Sequence, residues 1–275
     1  MKFSAVSLAA LAILLVSLLS VGQEAATSAS ELRQGVESYK SSRYEDAARH
    51  FQKAVDLDGS NVNAHLYLAT TYASQYIPGV ETPDNIHLAE KAIEQYSHLL
   101  DSDAVKNSRL NSAKGIAYLY LNMKKFEDSK HYYQLASGID PEDPEPYYSL
   151  GVIDWTQCYV PRMEARAKMG LRPEENLNGK DPEQKKVCDE LRVKNMPTVE
   201  HGIESFNRAI QLRPDYDDAM AYINLMYREK ADLECADPAA REQDLKTADD
   251  WVDKTLAVKK AKAEKTSAPT GPSPQ

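Results

Sequence analysis

Phenylalanine, tryptophan and cysteine are scarce in this chain, at 4, 2 and 3 of 275 residues, while tyrosine reaches 16. Three cysteines, at 158, 188 and 235, are too few for a disulfide-stapled miniature and fit no zinc-site spacing. The six histidines (His50, His65, His87, His98, His131 and His201) never recur one helical turn apart, so the sequence holds no His-Glu-x-x-His or similar ligand pair. The 11 glycines form neither a phosphate-cradling loop nor a nucleophile elbow. Paired acids such as Glu174-Glu175 and Asp249-Asp250 read as solvated faces rather than glycosidase carboxylates. Positive charge is in deficit, with 33 Lys and Arg against 42 Asp and Glu and a net charge of −9. With no basic stripe, that balance argues against a nucleic-acid partner. Catalysis, a metal and a bound cofactor are therefore not expected.

Long apolar runs are missing too, with one exception. Lys2 precedes the run Ala5–Leu19, and the small residues Ser20 and Gly22 follow it, the outline of a secretory signal peptide over residues 1–22. The stretch Phe3–Val21 is 19 residues, close to the roughly 20 that span a bilayer, so an uncleaved N-terminal anchor in the inner membrane is the alternative. No cysteine lies near residue 22, which disfavours a lipoprotein. Both readings put the rest of the chain outside the cytoplasm, periplasmic or secreted. It would touch a membrane only through this N-terminal segment, if that is uncleaved.

What the chain does have is a recurring pattern. Residues Ala29–Asn61 read as two short amphipathic helices joined by a tight turn. Leu32, Gly35, Val36 and Tyr39 mark one apolar face, and Ala47, Phe51, Ala54 and Val55 the other, every three or four residues. Two helices of about a dozen residues cannot bury such faces alone and need a stacked neighbour. The ending FQKAVDLD returns as YYQLASGIDP at Tyr132–Pro141 and as FNRAIQLRP at Phe206–Pro214. The opening returns around Ala64–Tyr72, Ala113–Tyr120, Tyr147–Gly151 and Ala219–Tyr227. These small and aromatic positions, recurring together and in order, resemble the tetratricopeptide-repeat family over most of Ala29 to about Lys260. The resemblance implies an all-α solenoid of about five helical hairpins in a right-handed superhelix, with tyrosines as core wedges whose hydroxyls stay wet.

Spacing measures the departures from regularity. Ala54 and Ala136 hold equivalent places 82 residues apart, 14 more than two 34-residue repeats. Ala136 and Ala209 lie 73 apart, 39 more than one repeat, and Ala209 and Thr255 lie 46 apart, 12 more. The expected units are about 28–61, 62–104, 110–143, 144–216 and 217–260, a solenoid over 28–261 with helical insertions. The largest insertion, 157–195, should hold two helices around a Pro/Gly/Asn loop. One is stopped by Gly170; the other is capped by Asp181, opened by Pro182 and stopped by Pro197. It is either a partner-specific lid or wall, or a decoration that lengthens helices and seals core. Lys254–Lys265 reads as a solvated helix end, and 262–275 as a disordered tail.

The resemblance also implies a function. In that family the first helices line a concave groove that receives a peptide or helix of a partner protein. By matching position the groove residues are Tyr39 and Lys40, after Leu32 and Val36. Asn63, Leu66 and Thr70 follow with Ala73, then Asn111, Lys114, Tyr118 and Asn122. Tyr148, Val152 and Trp155 come next, and Leu225 and Arg228 close the row with Ala221. The row lacks the Lys and Arg cluster that clamps a peptide's terminal carboxylate in some family members. Tyr118, Tyr148 and Trp155 form an aromatic patch suited to an extended peptide or a glycan, or else cover inserted helices. The expected function is a non-catalytic protein-protein interaction scaffold of the bacterial cell envelope. The alternative is a ligand-binding or hydrolytic module with 157–195 as its lid. A disulfide is open between Cys158 and Cys188, which bracket the insertion, and equally between Cys158 and Cys235; free buried thiols are the remaining alternative.

Overall fold

Most helices begin where the sequence offers a cap. The structure, a computed structural model, describes residues 27–102, 104–172, 175–177 and 179–267. Thr27 accepts a hydrogen bond from the Ser30 N–H (3.1 Å) and opens α1, Ser28–Lys40. A tight turn leads to α2, Tyr44–Leu57. Asn61 caps α3, Val62–Gln75, and Thr82 caps α4, Pro83–Asp101. Then come α5, Lys106–Asn122, and α6, Phe126–Ile139. Asp143 caps α7, Pro144–Lys168, and Asp181 caps α8, Pro182–Leu212. The last pair is α9, Asp217–Asp232, and α10, Pro238–Ser267. Four of these helices start with a short polar cap followed by proline: Thr82-Pro83, Asp143-Pro144, Asp181-Pro182 and Asp237-Pro238. Proline suits the first position because its missing N–H has no helical partner there.

Ten helices among the described residues pair as antiparallel hairpins, α1 with α2 through α9 with α10, each second helix also packing on the next unit's first. The pattern read from sequence reappears as geometry. Ala54, Ala136 and Ala209 are fully buried, and each carbonyl accepts the N–H of the residue that ends its helix: Asp58, Asp140 and Arg213. Ser42 and Lys124 both adopt φ 58° in the first-to-second-helix turn, with matching bonds of 2.9 Å from Arg43 to Ser38 and from Lys125 to Tyr120. Gly35 and Gly151 play one role twice. A Cβ there would lie 2.5 Å from the Phe51 ring or 2.7 Å from the Phe206 ring, so only glycine lets each aromatic seat against the first helix of its own hairpin. The core is a row of small clusters rather than one large one, as stacking demands.

The stretch 157–195 departs from this plan in an informative way. Its two helices are not separate additions: α7 runs straight through to Lys168, and α8 begins at Pro182 and continues into the repeat's own second helix. Gly170, at φ 71°, follows the end of α7 as expected. Pro197, expected to stop a helix, lies inside α8, as Pro161 lies inside α7. The carbonyl that Pro197 leaves without its helical bond belongs to Val193, a highly exposed residue, so the usual penalty of a mid-helix proline is eased by water. The extension also supplies its own core, in which Cys158, Leu177, Cys188, Leu191, Val199 and Leu233 are buried together.

The cysteines pair differently from either expected bridge. Cys188 is bonded to Cys235 in the α9–α10 turn, and Cys158 is free and buried. The reason is register along α8. The Cys158 thiol lies 3.8 Å from the Asn195 carbonyl, and seven helical residues place Asn195 roughly 10 Å along the axis from Cys188, beyond disulfide reach. Burial pushes the Cys158 thiol up to about 12, with Glu229 and Asp154 adding to the effect, so it stays protonated.

At the C-terminus α10 continues through Ser267, six residues past the boundary set for the tail at 262, held in part by Lys262 on Asp217 (2.6 Å). The expected signal peptide, 1–22, and tail residues 268–275 lie outside the described residues. No helix among the described residues is long and apolar enough to cross a membrane.

Candidate binding groove

First helices of neighbouring units touch along the array, α1 with α3, α3 with α5, and α7 with α9. The expected groove residues lie on these helices and fall into three groups. Lys40, Asn63, Asn111 and Tyr118 are exposed and available to a partner. Several others are half-buried and committed internally. The Tyr39 hydroxyl bonds Ser74 (3.0 Å). Leu66 packs against the cluster that includes Ala92, Tyr96 and Ile116, and Thr70 donates to the Leu66 carbonyl (2.8 Å) beside the Tyr96 hydroxyl. Lys114 bonds Asp143 (2.9 Å) and Glu145; burial opposes its charge, but the two carboxylates override it and raise its pKa. Asn122 donates to the Tyr118 carbonyl (2.8 Å). Tyr148 and Val152 pack against the cluster around Phe206. Tyr148 contacts Phe206, Tyr216 and Tyr222, and its pKa is raised by burial first, then by Tyr222, Tyr216 and Asp218. The aromatic patch therefore divides. Tyr148 and Trp155 are joined through Tyr222, and Tyr118 stands exposed on α5.

The third group converges. Trp155, Leu225 and Arg228 line one recess of about 370 Å³ between α7, α9 and α10. Trp155 stacks on Tyr159 with ring centroids 4.9 Å apart. Arg162 lies behind, almost wholly buried, with Nε donating to Glu229 (2.6 Å) and a second bond from Nη2 to the same carboxylate. Burial works against the Arg162 charge, and the paired bonds to Glu229 more than offset it, raising its pKa. Asp232 is shared: Arg162 at 3.0 Å, Arg166 at 2.8 Å and Arg241 at 3.8 Å. Arg228 reaches Asn224 (3.2 Å) and Asp249 (2.7 Å) at the edge. A smaller recess, about 330 Å³, lies between Tyr76–Glu81 and the α5–α6 turn, walled by Val80, Ile86 and Met123.

Residues 115–143 match the tetratricopeptide-repeat family model. Solved structures extend the likeness to most of the chain. One is a crystal structure of MamA protein, 17% identical, covering 90% of this chain and 98% of that one with a TM-score of 0.55. A MamA from Desulfovibrio magneticus RS-1 is 13% identical over 85% of this chain and 96% of that one, with a TM-score of 0.53. The chain has the tetratricopeptide-repeat fold. No curated protein sequence matches it.

Within that fold, sequence reasoning missed most of the recess. Tyr159, Arg162, Arg166, Glu229, Asp232 and Arg241 were not among the expected groove residues. The signal was present in the spacing. Trp155, Tyr159, Arg162 and Arg166 fall at i, i+4, i+7 and i+11; Leu225, Arg228, Glu229 and Asp232 fall at i, i+3, i+4 and i+7. Each series is one face of a helix. Ending the repeat's first helix near residue 157 cuts the first series in two, which hid it.

Proposed function

We propose that this tetratricopeptide-repeat protein is a non-catalytic interaction scaffold of the bacterial cell envelope, holding a peptide or helix of a partner along its first helices. The observation that carries the reading is the surface those helices share. They touch one another across the first three units and again across the last two, carry exposed Asn63, Asn111 and Tyr118, and end at a recess walled by Trp155 and Leu225. Aromatic side chains with a polar surround are what peptide grooves use as anchors. The Cys188–Cys235 disulfide supports the extracytoplasmic part, since such bonds persist in oxidising compartments. The signal-peptide outline of residues 1–22 agrees with it. The extension 157–195 acts as a wall: it lengthens α7 and α8, and the lengthened α7 supplies Tyr159 and Arg162 to the recess.

A photo-crosslinking amino acid placed at Asn63, Asn111 or Tyr118 should capture one partner from intact cells, at the envelope. The same probe at Gln134, exposed on the second helix α6, should not. Equal capture from both faces would overturn groove binding, and recovery of the protein in the cytoplasm would overturn the location.

A further inference from the structure

The sulfur bridge between α8 and the α9–α10 turn sits on a residue that also shapes the recess between α7, α9 and α10. Cys188 Sγ lies 3.9 Å from the Asp232 carbonyl and 3.7 Å from that of Leu233, and Cys235 Sγ lies 3.5 Å from the Asp232 carbonyl. The Asp232 carboxylate is the shared anchor of Arg162, Arg166 and Arg241. Asp232 thus meets the bridge with its backbone and holds the recess floor with its side chain. The two sulfurs differ in access. Cys188 is 1% exposed, packed among Cys158, Leu177, Leu191, Val199 and Leu233. Cys235 is half-buried and lines a second recess of about 490 Å³. Lys180, Lys185 and Arg241 line that recess with Asp232 and Glu234, and Glu234 is taken up by Arg192. Cations beside a sulfur favour an approaching thiolate.

We infer that the Cys188–Cys235 bridge is a redox latch, entered at Cys235 by a dithiol reductant, that holds the recess between α7, α9 and α10 in shape. The inference goes beyond the groove reading and does not rest on it. A thiolate of the dithiol reaches Cys235 Sγ through the second recess. A bond forms between the reductant and Cys235, the Cys188–Cys235 bond breaks, and its electron pair goes to Cys188 Sγ, which takes up a proton. The second thiolate of the reductant then attacks the mixed disulfide, closes the reductant's own disulfide and releases Cys235. Two protein sulfurs are reduced and one dithiol is oxidised. Once open, the turn is left with the Arg192–Glu234 pair and the burial of Leu233 to hold it to α8. The end of α9 then frays, and Asp232 no longer gathers its three arginines in one place. Loosening stays local because each unit contacts only its neighbours. The recess is therefore complete only where thiols are oxidised.

The test uses the full chain carrying Trp251→Phe, so that Trp155, a wall of the recess, is the sole tryptophan. Dithiothreitol should open the bridge in the folded protein, at a rate unchanged by low urea. Brief exposure to reduced glutathione, stopped with acid and mapped by mass spectrometry, should place glutathione on Cys235. Opening should make Trp155 more accessible to acrylamide and speed amide exchange at residues 230–236 roughly tenfold or more. Exchange in α1–α6 should not change, and reoxidation should reverse both effects. Cys188→Ser with Cys235→Ser should give the open values with or without reductant. Reduction that proceeds only as fast as urea-driven unfolding would make the bridge a static staple and overturn the latch. So would glutathione found on Cys188, or Trp155 quenching and amide exchange indifferent to reduction.

Discussion

The first three hairpins and the last two solve the same packing problem with different means. Between Ser28 and Ile139 the helices are short, and Ala, Phe, Leu and Tyr fill the seams. Among the described residues of that part, Glu31 is the one acidic or basic residue (Asp, Glu, Lys or Arg) that is buried, bonded to His50 at 2.6 Å. From Pro144 onward α7, α8 and α10 lengthen to 25, 31 and 30 residues. There Asp154, Arg162, Arg166, Glu229, Glu234 and Asp244 are all buried, and the described disulfide joins Cys188 to Cys235. A helix that overruns its repeat has no copy to stack on. Its register against the neighbours is set here by specific ion pairs and one covalent bond. Buried pairs of this kind are a poor source of net stability and a good source of unique geometry.

The comparison breaks most visibly at Glu229. Glu229→Ala leaves the Arg162 guanidinium buried without its two-point partner, and the expected loss is about 3–5 kcal/mol. In a repeat array that loss stays local. Hydrogen exchange should show α7–α10 opening while α1–α6 keep their protection. The double change Arg162→Met with Glu229→Leu should recover most of the loss, since an apolar pair of similar volume replaces two desolvated charges. If Glu229→Ala costs less than about 1 kcal/mol, the ion pairs are not what holds the extension in register.

Next in size is the covalent pin. Cys188 and Cys235 are 47 residues apart, and closing a loop of that length is worth about 2–4 kcal/mol. Cys188→Ser with Cys235→Ser should lower the melting transition of the C-terminal hairpins by that amount, as should reduction of the intact protein. Cys158→Ser should leave the non-reducing peptide map unchanged. A map that links Cys158 to either partner would refute the described pairing.

How far the sequence reveals this molecule follows the same division. In the regular part the apolar period and the small residues report local geometry, because each hairpin repeats the last. Ala54, Ala136 and Ala209 therefore served as a ruler, and Gly35 and Gly151 fell at small positions of the recurring first helix. The extension has no copy to be compared with. Its proline at 197 looks like a stop because the rule is local, while the helix continues under tertiary contacts. Cys235 lies 47 residues from its partner, and Arg162 lies 67 from Glu229; only the pairing of α7 with α9 joins the latter two. The placing of Asn63, Asn111 and Tyr118 on first helices was legible from repeat position. Of the four arginines around the recess only Arg228 was legible, because Arg162 and Arg166 belong to the lengthened α7 and Arg241 to α10.

The smallest expected effect sharpens the contrast at the seam between the two regions. Asp154, on α7 and fully buried, receives Lys130 from α6 at 2.6 Å and His201 from α8 at 2.5 Å. The hydrogen bond to Asp154 raises the His201 pKa above its ordinary value near 6.5; burial works against this, and Lys130 opposes it further. A raised folded pKa means the protonated ring is favoured by folding. Its stabilisation is complete below about pH 6.5 and is lost as pH rises through the folded value. Nearly half the ring is exposed, so screening holds the effect to under about 1 kcal/mol. Urea midpoints of the native protein and His201→Gln should therefore differ at about pH 5.5 and converge towards about pH 8.5. A difference that stays constant over that range would show that His201 contributes packing alone. The third-to-fourth-unit seam would then owe its charge pairing to Lys130.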